Sequence, residues 1–316
     1  MRHINELREG EMISEVYLCK NKVVGTSKNG KTYYSLQLSD ATGGIDGKIW
    51  ELNNGIGHFE SGNFVKLDGQ ITSYNNALQI NIKKIRLAEE GEYVVEDYMP
   101  VTKKDIEEMY GDLLALIDSL ERPYYKQLLK SFFVEDKALV KKFKKHSAAK
   151  SVHHGFVGGL LEHTLGVTRN CDFFARNYPF LNRDLLLTAA MFHDVGKLKE
   201  LSTFPQNDYT DEGQLLGHIM IGAEWIGEEI RKIDGFPIVL ANELKHCILA
   251  HHGELEFGSP KKPALIEALA LVFADNLDAK METVHEMMSG VSPDSLEWQG
   301  YNKLLESNFR NTSRWT

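Results

Sequence analysis

Cysteine is scarce in this chain of 316 residues: Cys19, Cys171 and Cys247 lie far apart, and none has a second thiol at CxxC spacing. An odd, sparse set supports neither a disulfide framework nor a cysteine-built structural zinc site. It fits a reducing compartment, so a cytoplasmic location is expected. Long apolar runs are missing too. No stretch approaches the ~20 residues needed to span a bilayer, and the opening MRHINELREGEMI is too polar for a signal peptide, so no membrane partner is expected. Positive charge is in deficit, with 36 Lys and Arg against 45 Asp and Glu and a formal net charge of −9. This argues against a protein that coats nucleic acid broadly, but leaves room for a local phosphate site. Residues 1–90 balance 11 basic against 11 acidic side chains, so the whole deficit lies downstream. Even there, KKFKKHSAAK (Lys141 to Lys150) forms a basic island, read either as a solvated helix face or as a phosphate-tracking patch. Internal repeats and low-complexity tracts are absent.

What is present is an ordinary globular composition, 42% hydrophobic and 26% charged, in a chain long enough for two domains. The first ninety residues read as five strands: EVYLCKNKVVGTS, KTYYSLQLSD, IDGKIW, NFVKLDGQITSY and ALQINIKKIRL, with NG, TGG and NN turn signals. Five short strands with glycine at the corners predict a small closed barrel of the oligonucleotide-binding (OB) kind. Alternation sorts its faces. Tyr34, Leu36 and Leu38 share a core face, as do Ile45, Gly47 and Ile49. Tyr33, Lys48 and Trp50 fall on the opposite, outward surface. Aromatic rings beside a lysine suit base stacking at about 1–3 kcal/mol per base; the alternative is that they pack against the second domain.

From Thr102 the period becomes helical. TKKD offers an N-cap at Thr102 with an acidic residue three positions on, followed by Ile106, Met109, Leu113, Leu114 and Ile117 at helical spacing. Pro123 separates the next helix, and the rest reads as helix and loop. The expected architecture is multidomain β plus α: a five-stranded barrel over 1–90, a helical connector over 91–150 and an all-α bundle over 151–316.

Inside that helical half, ionisable residues recur within apolar sequence. His163 sits in GGLLEHTLGV, His193 and Asp194 in AAMFHDVGK, His218 in LLGHIMIGAE, His251 and His252 in LKHCILAHHGE, and Asp275 in ALALVFADNLDAK. A buried imidazole or carboxylate is costly unless it is paired or binds a metal. One such histidine is most simply a satisfied core residue. Five such places suggest a metal centre, and imidazole with carboxylate suits Mn, Fe or Zn. Adjacent His193 and Asp194 cannot face one way on a regular helix, but can at a helix end.

The order His, His-Asp, His, His-His, Asp resembles the HD-domain metal-dependent phosphohydrolases, from about His153 to Lys280, including HHGFVGGLLEHTL, FHDVGK and ADNLDAK. With an OB-like barrel in front, nearly the full chain resembles the YhaM type of bacterial 3′→5′ exoribonuclease. The resemblance implies a first metal held by His163, His193, Asp194 and Asp275. Asp194 then bridges to a second metal held by His218 and His251 or His252, with His251 preferred because it comes first. Two divalent ions are implied, Mn being expected and Fe, Co, Mg or Zn the alternatives. They would activate water against a phosphodiester of single-stranded RNA, with single-stranded DNA as a further substrate. Lys197 would donate to a phosphate oxygen; a helix-end lysine meeting the dipole is the plainer reading. His153 and His154 would protonate the leaving oxygen or bind phosphate, or are simply exposed loop histidines. His246 is read as structural. Assembly into a homo-oligomer would concentrate the few basic patches. There is no GYP after the His-His pair, and Gly159 stands four before His163, where trinuclear cyclic-dinucleotide enzymes carry Glu. The competing readings are a phosphohydrolase of nucleotides or cyclic dinucleotides that uses the barrel for assembly, and a non-catalytic nucleic-acid-binding protein.

Overall fold

Alternation determines the barrel. In the computed structural model, which describes residues 1–26, 30–75, 77–150 and 154–313 apart from the Glu96 side chain, five strands form: β1 (Met12–Thr26), β2 (Thr32–Asp40), β3 (Gly43–Ile49), β4 (Phe64–Tyr74) and β5 (Ala77–Leu87). They close in the order β1-β2-β3-β5-β4. Antiparallel pairing dominates, and a parallel pairing of β3 with β5, through Asp46, Gly47 and Lys48, completes the ring. Closure needs β1 to serve two neighbours. It pairs with β4 through Met12–Leu18 and with β2 through Leu18–Thr26, with a register shift between Cys19 and Asn21. Such a bulge bends a strand and re-aims its ladder. Leu36, Leu38, Ile49, Val65, Ile71 and Ile80 fill the interior with Tyr17 and Phe59, and Tyr34 is half-buried against them. Part of each turn read as NG and NN, namely Asn29 and Asn76, lies outside the described residues.

The second half is helical: α1 (Ile106–Asp118), α2 (Pro123–Lys130), α3 (Lys137–Lys145), α4 (Gly159–Asn177), α5 (Arg183–Phe192), α6 (Lys197–Glu200), α7 (Asp211–Ile230), α8 (Ile238–Ala250) and α9 (Ile266–Met288). α1 starts later than the sequence suggests. Its N-cap is Asp105, not Thr102, and the Asp105 carboxylate accepts from the backbone N–H of Glu107 and Glu108. That satisfies two of the donors every helix start leaves unpaired. Pro123 is the first residue of α2, where its missing N–H costs nothing. The core gathers Phe132, Phe133, Phe143 and Phe192, whose rings meet edge-on or tilted at 4.9–6.3 Å. A short hairpin near the C-terminus, β6 (Tyr301–Asn302) with β7 (Ser307–Asn308), adds the only strands among the described residues after β5.

Two compact units result: Met1–Lys103 with Ser202–Asp208, and Lys104–Leu201 with Tyr209–Thr316. The stretch read as a connector is therefore divided at Lys103. No helix among the described residues is long and apolar enough to cross a membrane. The basic island is not an open track. Lys142 donates to the Leu198 carbonyl and Lys144 pairs with Glu107, Lys150 lies over the Tyr209 ring, 5.9 Å from its centroid, and His146 is buried.

Candidate metal centre

α5 is buried along Leu185–Phe192, and the chain leaves the helix at its C-cap, His193. The turn that follows frees His193 and Asp194 from helical divergence, so both aim at one place. His193 Nε2 lies 3.4 Å from Asp194 Oδ2. His163 from α4 brings its Nε2 to 3.4 Å from the same oxygen, 3.2 Å from Asp275 Oδ1 on α9 and 3.2 Å from His193 Nε2. The other carboxylate oxygen faces a second group. Asp194 Oδ1 is 3.4 Å from His218 Nε2 and 3.8 Å from His251 Nε2. His252 closes a trio with His218 and His251 in which the ring nitrogens lie within 4.8 Å of one another. His218 reaches the centre because α7 kinks at Gly217, whose φ of 71° and ψ of 155° are readily adopted only by glycine.

The residues fit cations. Asp194 Oδ1, His218 Nε2 and His251 Nε2 are buried with no hydrogen-bond partner among the described residues, a costly arrangement unless a cation takes them up. Bonds of about 2.1 Å to one ion space its ligand atoms roughly 3.0–3.4 Å apart, close to the separations around Asp194. Sulfur is absent from the set and carboxylate is present, which suits hard or borderline divalent ions. His163, His193, His218 and His251 all turn Nε2 toward Asp194. In His193, His251 and His252, Nδ1–H donates to the carbonyls of Ala190, Ile248 and Phe257 at 2.7, 2.7 and 2.8 Å.

Charge at the site is strongly perturbed. Burial alone would raise the Asp194 carboxyl, but Lys197 and His193, then hydrogen bonds from His163 and His193, hold it well below the carboxylate range. Burial opposes the Lys197 ammonium, yet Asp194, 2.7 Å away, keeps it raised. Burial likewise disfavours a charged His163, and hydrogen bonds to Asp194, Asp275 and Asp278 overcome this and push the ring well above the usual imidazole range. The carboxylates Asp194, Asp275 and Asp278 face the single ammonium of Lys197, which leaves negative charge for cations to balance.

The other expected residues are placed as follows. His154 is buried, not an exposed loop residue. Its Nε2 lies 3.1 Å from Asp278 Oδ2. His153 lies outside the described residues. His246 is occupied structurally, accepting from the Ala264 N–H at 2.9 Å. In the barrel unit, Trp50 is exposed and its ring centroid lies 4.9 Å from that of Tyr33. Lys48 Nζ donates to Ser35 Oγ at 2.6 Å on the same surface. Tyr33 lies across from Gly25, where a Cβ would come within 2.6 Å of its ring. Two residues escaped the sequence reading. Asp278 accepts from His163 Nδ1 at 2.7 Å, and Glu200 accepts from His218 Nδ1 at 3.0 Å. The one available signal for Asp278 was its i+3 spacing from Asp275 in ADNLDAK.

Fold and site define a class: an HD domain, metal-dependent and phosphohydrolytic in kind, that follows an OB-fold in the sequence. The chain matches the HD domain family over residues 160–280 and the OB-fold nucleic acid binding domain family over 18–88. It is 35% identical over 288 residues to the 3′-5′ exoribonuclease YhaM of a Geobacillus species, covering 90% of this chain and 87% of that protein. The YhaM proteins of Bacillus velezensis and Bacillus subtilis are 34% and 33% identical, each matched over 90% of both chains. The chain belongs to the YhaM family of 3′-5′ exoribonucleases. A solved structure of the second OB-fold domain of replication protein A from Methanococcus maripaludis is 25% identical over 28% of this chain and 96% of its own, with a TM-score of 0.22.

Proposed function

We propose that this chain hydrolyses single-stranded RNA from the 3′ end to mononucleotides, with single-stranded DNA as a second substrate, at a centre whose residues around Asp194 would hold two divalent ions. The observation that carries this reading is the division of one buried carboxylate: Oδ2 faces His163 and His193, both of which also face Asp275 Oδ1, and Oδ1 faces His218 and His251. The first group would hold one ion, and the second, with His252 beside it, the other. Mn is the expected ion, with Fe, Co, Mg and Zn as alternatives. Divalent ions held there would supply Lewis acidity toward a phosphodiester and acidify water.

The protein's own groups do the rest. Lys197 spends one N–H on Asp194 and has two more to offer a phosphate oxygen. The raised affinity of its ammonium for the proton keeps that charge in place. His154, with Nε2 committed to Asp278, acts on that carboxylate and not as donor to the leaving oxygen. On the barrel, Tyr33 and Trp50 offer ring faces to bases and Lys48 a charge to the backbone. The matching OB-fold family and the relatives' names support the nucleic-acid reading.

The test uses metal-stripped protein with 5′-labelled single-stranded RNA and its DNA counterpart, with Mn, with chelator, and with Asp194→Ala. RNA that shortens stepwise from its 3′ end only with metal and intact Asp194 supports the proposal. Intact strands alongside cleavage of a small phosphodiester refute it.

A further inference from the structure

Of the five histidines around Asp194, three are held from behind by backbone carbonyls, as described above. In His163 and His218 the acceptor is a side-chain carboxylate. His163 Nδ1–H donates to Asp278 Oδ2 at 2.7 Å. His218 Nδ1–H donates to Glu200 Oε1 at 3.0 Å, and the same oxygen accepts the His218 backbone N–H at 3.0 Å. Each carboxylate fixes the tautomer that leaves Nε2 free, sets the ring plane and makes the imidazole a stronger donor.

The two anchors serve different sides of the centre. His163 belongs to the group around Asp194 Oδ2, and His218 to the group around Oδ1. The fold makes room for the first anchor. Gly166 lies one turn along α4 from His163, and a Cβ there would stand 2.2 Å from Asp278 Oδ1. Bare backbone at 166 is therefore what allows the α9 carboxylate to lie against α4. His154 Nε2, 3.1 Å from Asp278 Oδ2, gives that oxygen a second donor. The second anchor depends on the kink at Gly217, which turns both donors of His218 toward Glu200.

We infer that Asp278 and Glu200 are positioning residues, each dedicated to one metal position: Asp278 to the ion beside Asp194 Oδ2 and Glu200 to the ion beside Oδ1. This rests on the two-ion reading above. Loss of such a partner typically weakens metal binding by about 10–100-fold, and here the loss is confined to one position.

The experiment measures Mn binding to the metal-stripped full chain by calorimetry. His218→Ala isolates the first position and Asp275→Ala isolates the second. Asp278→Ala should raise the Kd at least ~10-fold in the His218→Ala background and leave it within about twofold in the Asp275→Ala background. Asp278→Asn, which keeps an acceptor, should fall between. Gly166→Ala should mimic Asp278→Ala. Glu200→Ala should show the opposite selectivity, with Glu200→Gln intermediate. Thermal unfolding of each metal-free variant establishes that it is folded, and Asp278→Asn and Gly166→Ala serve if the alanine variants are not. Two ions in the wild type with unselective loss, or no loss, would overturn this inference alone. A wild type that binds a single ion overturns the two-ion reading and this division of labour with it.

Discussion

Replacing Trp50 with alanine should weaken single-stranded RNA binding while leaving the barrel folded. Trp50 directly follows β3, is 45% exposed, and meets the Tyr33 ring at 4.9 Å with the planes tilted by 31°. It is absent from the barrel's buried core. The folding cost is therefore largely the ring–ring contact, about 0.5–1.5 kcal/mol. A base stacked on an aromatic platform contributes about 1–3 kcal/mol, so Kd should rise roughly 5- to 150-fold. The assay is fluorescence anisotropy of a labelled single-stranded RNA, with chelator present and Asp194→Asn in every chain so that nothing is degraded. Trp50→Phe, which keeps a ring face, should recover most of the affinity. If Trp50→Ala binds within twofold of its parent while circular dichroism shows it folded, the stacking argument fails and the exposed ring has another role.

Other consequences are open to simpler measurements. Asp105→Ala removes the carboxylate that caps α1 and should cost about 1 kcal/mol by denaturant unfolding; no loss would mean water replaces the cap. Burial pushes the Cys19 thiol up to about 11 and Cys247 up to about 12, and Cys171 is raised by burial as well. A thiol reagent at pH 8 should therefore label the native chain far more slowly than the denatured one, and fast native labelling contradicts this. His146, with Ser147 and Leu201 carbonyls at 2.9 and 3.2 Å, is held below the usual imidazole value, first by burial and then by Lys142, against the pull of those carbonyls. The folded chain thus resists a proton that the unfolded chain accepts. Stability should fall as pH drops below about 6.5 toward the folded-state value, where the difference in bound protons persists. In chelator, His146→Gln should have a flatter stability profile than wild type in that window; identical slopes would show that His146 does not contribute.

The His193–Asp194 pair was legible because an ionisable doublet ends a long apolar run, and such a segment can end only at a site that compensates it. The barrel faces were legible because period-two alternation at Tyr34, Leu36 and Leu38 depends only on neighbours in sequence. What escaped depends on partners distant in sequence. Asp278 meets His154 and His163 across 124 and 115 residues, and in one dimension it resembles any solvated helical carboxylate. His154 reads as a loop residue, yet its backbone at φ 61° turns the ring inward onto Asp278. The Gly217 kink was hidden because LLGHIMIGAE keeps a helical pattern through it. TKKD contains two residue types that cap helices, Thr102 and Asp105, and the structure uses the stronger, Asp105, three residues later. The parallel β3–β5 contact that closes the barrel carries no local signal.

In the proposed centre one carboxylate, Asp194, serves two metal positions. Anomalous diffraction from Mn-soaked crystals, recorded on both sides of the Mn edge, tests it most directly. Two peaks are expected, one among Asp194 Oδ2, His163, His193 and Asp275, the other among Asp194 Oδ1, His218 and His251. A single peak, or two peaks of which only one touches Asp194, would contradict it.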